Sequence, residues 1–547
     1  MTTTAPLART AEGRPVPSAR RRTVPLVRHL DGRHGGCAAS GVALLALVLR
    51  LWRLGTPHDF LFDETYYAKD GWSLWQHGHV RGFVDDADER ILAGDLDVFG
   101  GLPSMTVHPE VGKWLIGAGQ QVFGADPFGW RVASAVAGAV MVLVMVRMVR
   151  RMTGSTLLGA TAGLLLTLDG LHLVMSRLAL LDIFLALFLL SAVSCLVADR
   201  DWGRGRMARA VPPDTVLPGR AWGPVRGLVV RPWRIAAGVL FGLAVAVKWN
   251  ALFPLAAFGL LVWAWDAGTR RSFGVRRAVW KSAVVDAVPA FVQLVGTAAV
   301  VYVLTWTGWL VNASEYEEHL SDTQYGAAWN ESGYLDEDAE GLGEVVQSLR
   351  SLALYHRDVF VFHTRFLDDS DHTYQSDPRG WLLLNRPVGV AADLDIAPGE
   401  QGCTAAEGSD CLRQILLLGT PVLWWAGVVA LLYALVAWVG RRDWRFGVPV
   451  VGVLATWLPW FRYDDRPIFL FYAVALVPFT VVAVTLLLGR VLGPPGASLS
   501  RRRTGAVLAG GFVVLVALNF AWFWPVWTHG LLTTAQWLQR IWFTVWI

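Results

Sequence analysis

The feature that most constrains this chain is a series of apolar runs whose connecting segments alternate between arginine-rich and acid-rich. The runs fall near residues 37–54 and 128–146, twice within 156–198, at 235–249 and 251–267, and in one ending near 308. Four more lie near 415–438, 446–461, 467–488 and 505–525. About 20 apolar residues suffice for a helix to cross the hydrocarbon core of a bilayer. Segment 199–234 carries eight arginines against three acids, and Arg270, Arg271, Arg276, Arg277 and Lys281 cluster after the sixth run. Arginine-rich ends stay in the cytoplasm. Parity then predicts eleven spans, with the N-terminus inside and the two long polar segments, 55–127 and 309–414, outside.

Composition excludes a soluble protein. Hydrophobic residues make up 54% of the 547 and charged residues 17%, with a mean hydropathy of +0.42, values typical of multi-span membrane proteins. The formal charge of +4 is small, and no nucleic-acid partner is expected. The division predicted is a disordered basic cytoplasmic tail over 1–35, an N-terminal transmembrane module over 36–308, an outer loop over 309–414 and a four-span module over 415–547. The Trp-rich end, 526–547, is expected to lie as a helix on the outer interface.

Ionisable residues inside a membrane are costly and usually face a cavity or a partner. Here they gather at the outer ends of the runs: Arg50, Arg53, Arg131, Asp169, Arg177, Asp182, Lys248 and Arg462 to Arg466. A structural ion-pair network would explain this, and so would a pocket for an anionic lipid headgroup. Just beyond the first run stands LFDETYYAKD, residues 61–70. Neighbours on a helix point about 100° apart, so Asp63 and Glu64 are expected to do different jobs.

Several longer motifs stand in register along the chain: FDETYY at 62–67, VHPEVGKW at 107–114, FGWR at 128–131, SRLALLD at 176–182, VKWN at 247–250 and LLLNRPV at 382–388. In these the chain resembles the protein O-mannosyltransferases that take mannose from a polyprenyl or dolichyl monophosphate carrier. The outer loop of about 100 residues has no room for the β-trefoil insert of the eukaryotic members, so the likeness is to the bacterial, actinobacterial-type branch. Glu110 stands where the family's pattern has a second proline.

The resemblance implies an all-α polytopic membrane protein of the GT-C glycosyltransferase fold. It implies transfer of mannose from polyprenyl phosphate mannose to Ser/Thr hydroxyls of secreted or membrane proteins, including chains emerging from the Sec translocon. The reaction would occur with inversion, on the outer face of the cell membrane. No cofactor is called for beyond the lipid-linked donor, and a divalent metal requirement stays open.

A hydroxyl is a weak nucleophile at neutral pH, and a positioned carboxylate can take its proton as the new bond forms. Asp63 is the expected base, with Glu64 holding sugar hydroxyls or orienting an arginine. The leaving phosphate needs cations, and arginine suits bidentate contact with phosphate. Arg131, Arg177 and Arg466 are expected there, with Lys248 as a point charge; Arg466 could equally pair with Asp464 or Asp465. His108 could line the acceptor groove or stabilise its own turn, and Asn250 and Arg386 complete the expected substrate-binding set. The DDSD run at 368–371 reads as solvated acids rather than a metal site. Cys403 and Cys411 share the outer loop and are expected to bond to each other.

Two other readings stay open: a GT-C enzyme with a lipid or cell-wall glycan acceptor, and a secondary transporter. A transporter would place charges at mid-membrane and repeat its halves. Neither sign is present.

Overall fold

The computed structural model describes residues 33–211, 217–218, 220–320, 339–367, 370–463, 465–494 and 496–547. Nearly all of the basic tail expected at 1–35 lies outside them. Each apolar run contains a helix. Among the described residues, seven stretches are long and apolar enough to cross a membrane: His34–Leu51, Pro127–Thr153, Asp182–Ala210, Trp249–Ser272, Ala278–Leu304, Pro421–Val439 and Leu499–Trp527. Local signals set their starts. Asp126 accepts from the Gly129 N–H ahead of Pro127, and Ser498 caps the last long helix in the same way, as side-chain oxygens do at helix N-termini.

The other runs give shorter helices, Thr156–Thr167, Pro232–Val245, Trp444–Trp457 and Val477–Leu492. Each adjoins a break in regular structure: the turn at Asp169, the segment Lys248–Ala251, and the tight turns Leu458–Arg462 and Leu470–Ala475. Irregular backbone at membrane depth is tolerated only where protein buries it or where it lines a cavity. These breaks therefore mark where a cavity can form.

The two long polar segments fold and dock on each other. In the first, the helix Glu64–His77 crosses the helix Val111–Phe123 at Gly71 and Gly117, where a Cβ on Gly117 would collide with the Gly71 carbonyl oxygen. Only glycine allows so close an approach. Strands Arg81–Phe83 and Phe99–Pro103 pair between these helices. Across the junction with the second segment, the Thr106 N–H donates to the Tyr355 hydroxyl at 2.7 Å, over a buried aromatic cluster of Trp306, Trp309, Tyr316 and Tyr355.

The second segment also carries an antiparallel pair, Val388–Ile396 with Cys411–Leu417, and a disulfide joins Cys403 to Cys411. A mostly helical protein thus holds two small sheets within its polar segments. The end of the chain, expected as an interfacial helix, holds one short helix, Thr534–Leu538, together with a strand. Leu532–Thr533 adds a third strand beside Cys411 and Leu412, and the buried Trp546 donates to the Leu384 carbonyl at 2.6 Å. Pairing with an open strand edge satisfies backbone groups that a surface helix would have satisfied internally.

Basic residues behind these helices sort into a second buried layer. Arg231 and Arg234 bridge Asp199 and Asp266 at 2.8–2.9 Å, and Arg270 pairs with Asp286.

Candidate active site

Three of these breaks, at Lys248–Ala251, Leu458–Arg462 and Leu470–Ala475, contribute to one cavity of about 310 Å³. His108, Lys248 with Asn250, and Arg466, drawn from three distant stretches of sequence, all line it. Trp249, His363, Trp460, Tyr463 and Tyr472 complete its walls.

Lys248 sits in extended backbone after the helix Pro232–Val245, and its ammonium lies 2.7 Å from Asp182 and 5.0 Å from the Tyr472 ring centre. Asp182 opens the long helix Asp182–Ala210, so one ion pair ties the two helices at the cavity floor. Arg466 donates through one terminal nitrogen to His363 Nδ1 at 3.0 Å and to the His363 carbonyl at 3.2 Å. Its pairing with Asp465 is not formed among the described residues, and Asp464 lies outside them. The Arg466 Nε and the Asn250 Oδ1 are shut from solvent and have no partner among the described residues. Buried polar groups are nearly always paired, so an orphan donor and an orphan acceptor on one cavity wall point to a polar ligand.

Two imidazoles lie face to face here, His108 and His363, with ring centres 5.0 Å apart. Because Arg466 donates to Nδ1, His363 must carry its proton on Nε2, which lies 2.7 Å from the Val107 carbonyl. Burial and then Arg466 push His363 down to about 4. Burial, followed by Lys248, holds His108 well below the usual histidine range. Both rings are therefore neutral at pH 7 and can donate or accept.

Asp63 precedes the helix Glu64–His77 and accepts a hydrogen bond from Tyr67 at 3.3 Å; the Tyr67 ring lies 6.2 Å from His108. Burial raises the Asp63 carboxyl above the ordinary carboxylate range, while Lys248 opposes the shift. Glu64 points the other way. Its carboxylate is fully buried and takes donors from Arg131 Nε at 2.8 Å, Arg131 Nη2 at 2.7 Å, the Ala179 N–H at 2.8 Å and the Leu61 N–H at 3.0 Å.

Three expected substrate ligands stand apart from the cavity. The remaining Arg131 donors reach the Pro57 carbonyl at 2.9 Å and the Asp59 carbonyl at 2.7 Å, leaving none for a phosphate. Arg177 donates to the Arg50 and Trp52 carbonyls at 2.8 and 2.7 Å, capping the end of the first span, where helix carbonyls lack partners. Arg386 holds the chain end through the Val545 and Ile547 carbonyls. All three fix backbone. Asp169 is likewise structural, accepting from the His172 N–H and from Trp424. Of the DDSD run, Asp368 and Asp369 lie outside the described residues.

His363, Trp460 and Tyr472 escaped the sequence reading. The aromatic run FLFYA at 469–473, three residues past Arg466, was the available signal for Tyr472.

A helical membrane bundle whose broken helix ends meet under docked polar segments, around a cavity with cations, neutral imidazoles and a nearby carboxylate, has the architecture of the GT-C class of membrane glycosyltransferases. Sequence comparison gives the family. Residues 40–202 match the dolichyl-phosphate-mannose-protein mannosyltransferase family, and residues 348–546 match the C-terminal four-transmembrane region of protein O-mannosyltransferases. The chain is 36% identical over 530 residues to a polyprenol-phosphate-mannose–protein mannosyltransferase of Mycobacterium tuberculosis, covering 94% of this chain and 93% of the relative. It is 34% identical to the protein of that name from Mycolicibacterium smegmatis, covering 94% of each, and 31% identical to that from Corynebacterium glutamicum, covering 92% of each. In fold it is similar to the yeast protein O-mannosyltransferase Pmt1–Pmt2 complex bound to the sugar donor, with a TM-score of 0.67 at 13% identity over 95% of this chain and 94% of that one. The chain belongs to the dolichyl-phosphate-mannose-protein mannosyltransferase family, in its actinobacterial branch, and is a glycosyltransferase.

Proposed function

We propose that the protein transfers mannose from polyprenyl monophosphate mannose to Ser or Thr hydroxyls of secreted or membrane proteins on the outer face of the cell membrane. The observation that carries this reading is the cavity wall where the orphan Arg466 Nε, the orphan Asn250 Oδ1 and Lys248 meet. A phosphate on a lipid needs a cation that is not already neutralised; among the described residues no acid pairs with Arg466, whereas Asp182 pairs with Lys248. Trp249, Trp460 and Tyr472 offer apolar ring faces for the sugar or the first lipid unit.

Asp63 is the general base in this reading. Its raised affinity for protons strengthens it as a base toward a hydroxyl, and Lys248 opposes the rise by favouring the carboxylate. As the acceptor oxygen bonds to the anomeric carbon, the bond to the lipid phosphate breaks and the hydroxyl proton passes to Asp63. One displacement inverts the anomeric centre. Glu64, Arg131 and Arg177 are positioning residues that hold the backbone before Asp63. Membranes containing the chain, given radiolabelled polyprenyl phosphate mannose and a Ser/Thr-rich peptide, test the reading. Label on peptide hydroxyls is expected; label that moves only to lipid or glycan would reassign the acceptor.

A further inference from the structure

The helix Leu252–Ser272 starts at the active-site cavity, which Leu252 and Phe253 line, and ends about 30 Å away. There a second, open groove of about 680 Å³ lies between it and the helix that starts at Ala278, lined by Trp263, Arg271, Arg276, Arg277, Val279 and Trp280. The surrounding basic residues are engaged. Arg270 pairs with Asp286 and donates to the Trp222 carbonyl, and Lys281 donates to the Ala221 carbonyl. By contrast, the exposed side chains of Arg271, Arg276 and Arg277 have no ion pair or hydrogen bond among the described residues. The Trp263 indole N–H is shut from solvent without an acceptor. From the groove an apolar ridge of Trp280, Val284, Val288 and Phe291, all exposed, runs along the spanning helix.

We propose that this groove binds the headgroup phosphodiester of an anionic glycerophospholipid. Three guanidiniums with no acid partner among the described residues and an indole donor supply the phosphate contacts, since arginine forks match phosphate oxygens. Trp280 is the third residue of the span Ala278–Leu304, and indole rings concentrate at the ends of spans, at headgroup level. The ridge takes the acyl chains, which is why the occupant is a lipid and not a soluble phosphate.

The test uses the full chain in nanodiscs or mild detergent and native mass spectrometry, with phosphatidylglycerol as probe and phosphatidylcholine as reference. The expected result is one phosphatidylglycerol retained per chain in preference to phosphatidylcholine. Arg276→Gln with Arg277→Gln should weaken retention about tenfold or more. Arg502→Gln with Arg503→Gln, which removes the same charge outside the groove, should leave retention within about twofold. Trp263→Phe keeps the ring but loses the donor, and should also weaken retention. Equal loss in the two arginine pairs would reduce the effect to general surface charge and overturn the site. Displacement of the lipid by millimolar inorganic phosphate would overturn the lipid assignment.

Discussion

Glu64 and Arg131 meet at 2.7 and 2.8 Å with neither side chain more than 1% exposed, and Glu64 directly follows Asp63 in sequence. Adjacent carboxylates thus have different surroundings: one is saturated with donors in the interior, and the other accepts from Tyr67, whose ring lies beside the cavity-lining His108.

Breaking such a buried pair leaves an uncompensated charge, which costs about 3–5 kcal/mol. Glu64→Ala and Arg131→Ala should each lower thermal stability by that order. The double variant should lose much less than the sum, because partners in one network are not additive. Thermal melts of the four proteins in one detergent check this, and additive losses would count against the pair.

Arg466 and Arg177 should separate binding from structure. Arg466→Gln removes a charge-assisted contact worth about 1.5–3 kcal/mol, so donor affinity should fall roughly tenfold to a hundredfold with little loss of stability. Arg177→Gln should do the reverse, since its guanidinium holds the Arg50 and Trp52 carbonyls. Donor titrations and melts on both variants decide it; weakened donor binding in Arg177→Gln alone would reverse the assignment.

Glu110 predicts a pH dependence of stability. Burial pushes its carboxyl from 4.5 up to about 7, opposed by the Trp114 indole 3.3 Å away. Between pH 4.5 and 7 the folded protein binds a proton there that the unfolded chain has released, so stability falls as pH rises through that window. The contribution is present below pH 4.5 and is lost by about pH 7, with a total on the order of 3 kcal/mol. Glu110→Gln should flatten the melting profile between pH 5 and 8. An unchanged slope would place the titrating group elsewhere.

The helical bundle was legible because the lipid environment demands long apolar runs and arginine-marked ends. The cavity was legible in part. Lys248, Asn250 and Arg466 were identifiable as polar groups at span ends and His108 as a candidate in the outer segment, and the structure brings them together. Arg131 and Arg177 look the same in sequence, yet their donors are taken by Glu64 and by backbone carbonyls of residues 50–59, and no sequence pattern reports which acceptors lie within reach. The final strand was hidden for a similar reason. Leu532 and Thr533 pair with Cys411 and Leu412, more than a hundred residues away, and only the fold creates that edge.

The most direct test of the account is Asp63→Asn, measured for both turnover and donor affinity. The substitution keeps shape and a hydrogen-bonding group but removes basicity, so turnover should fall by roughly 10² to 10⁴. Donor affinity should stay near that of the native protein. Near-normal turnover in Asp63→Asn, with Glu64→Gln losing activity beyond its loss of folded protein, would contradict the assignment and move the base to Glu64.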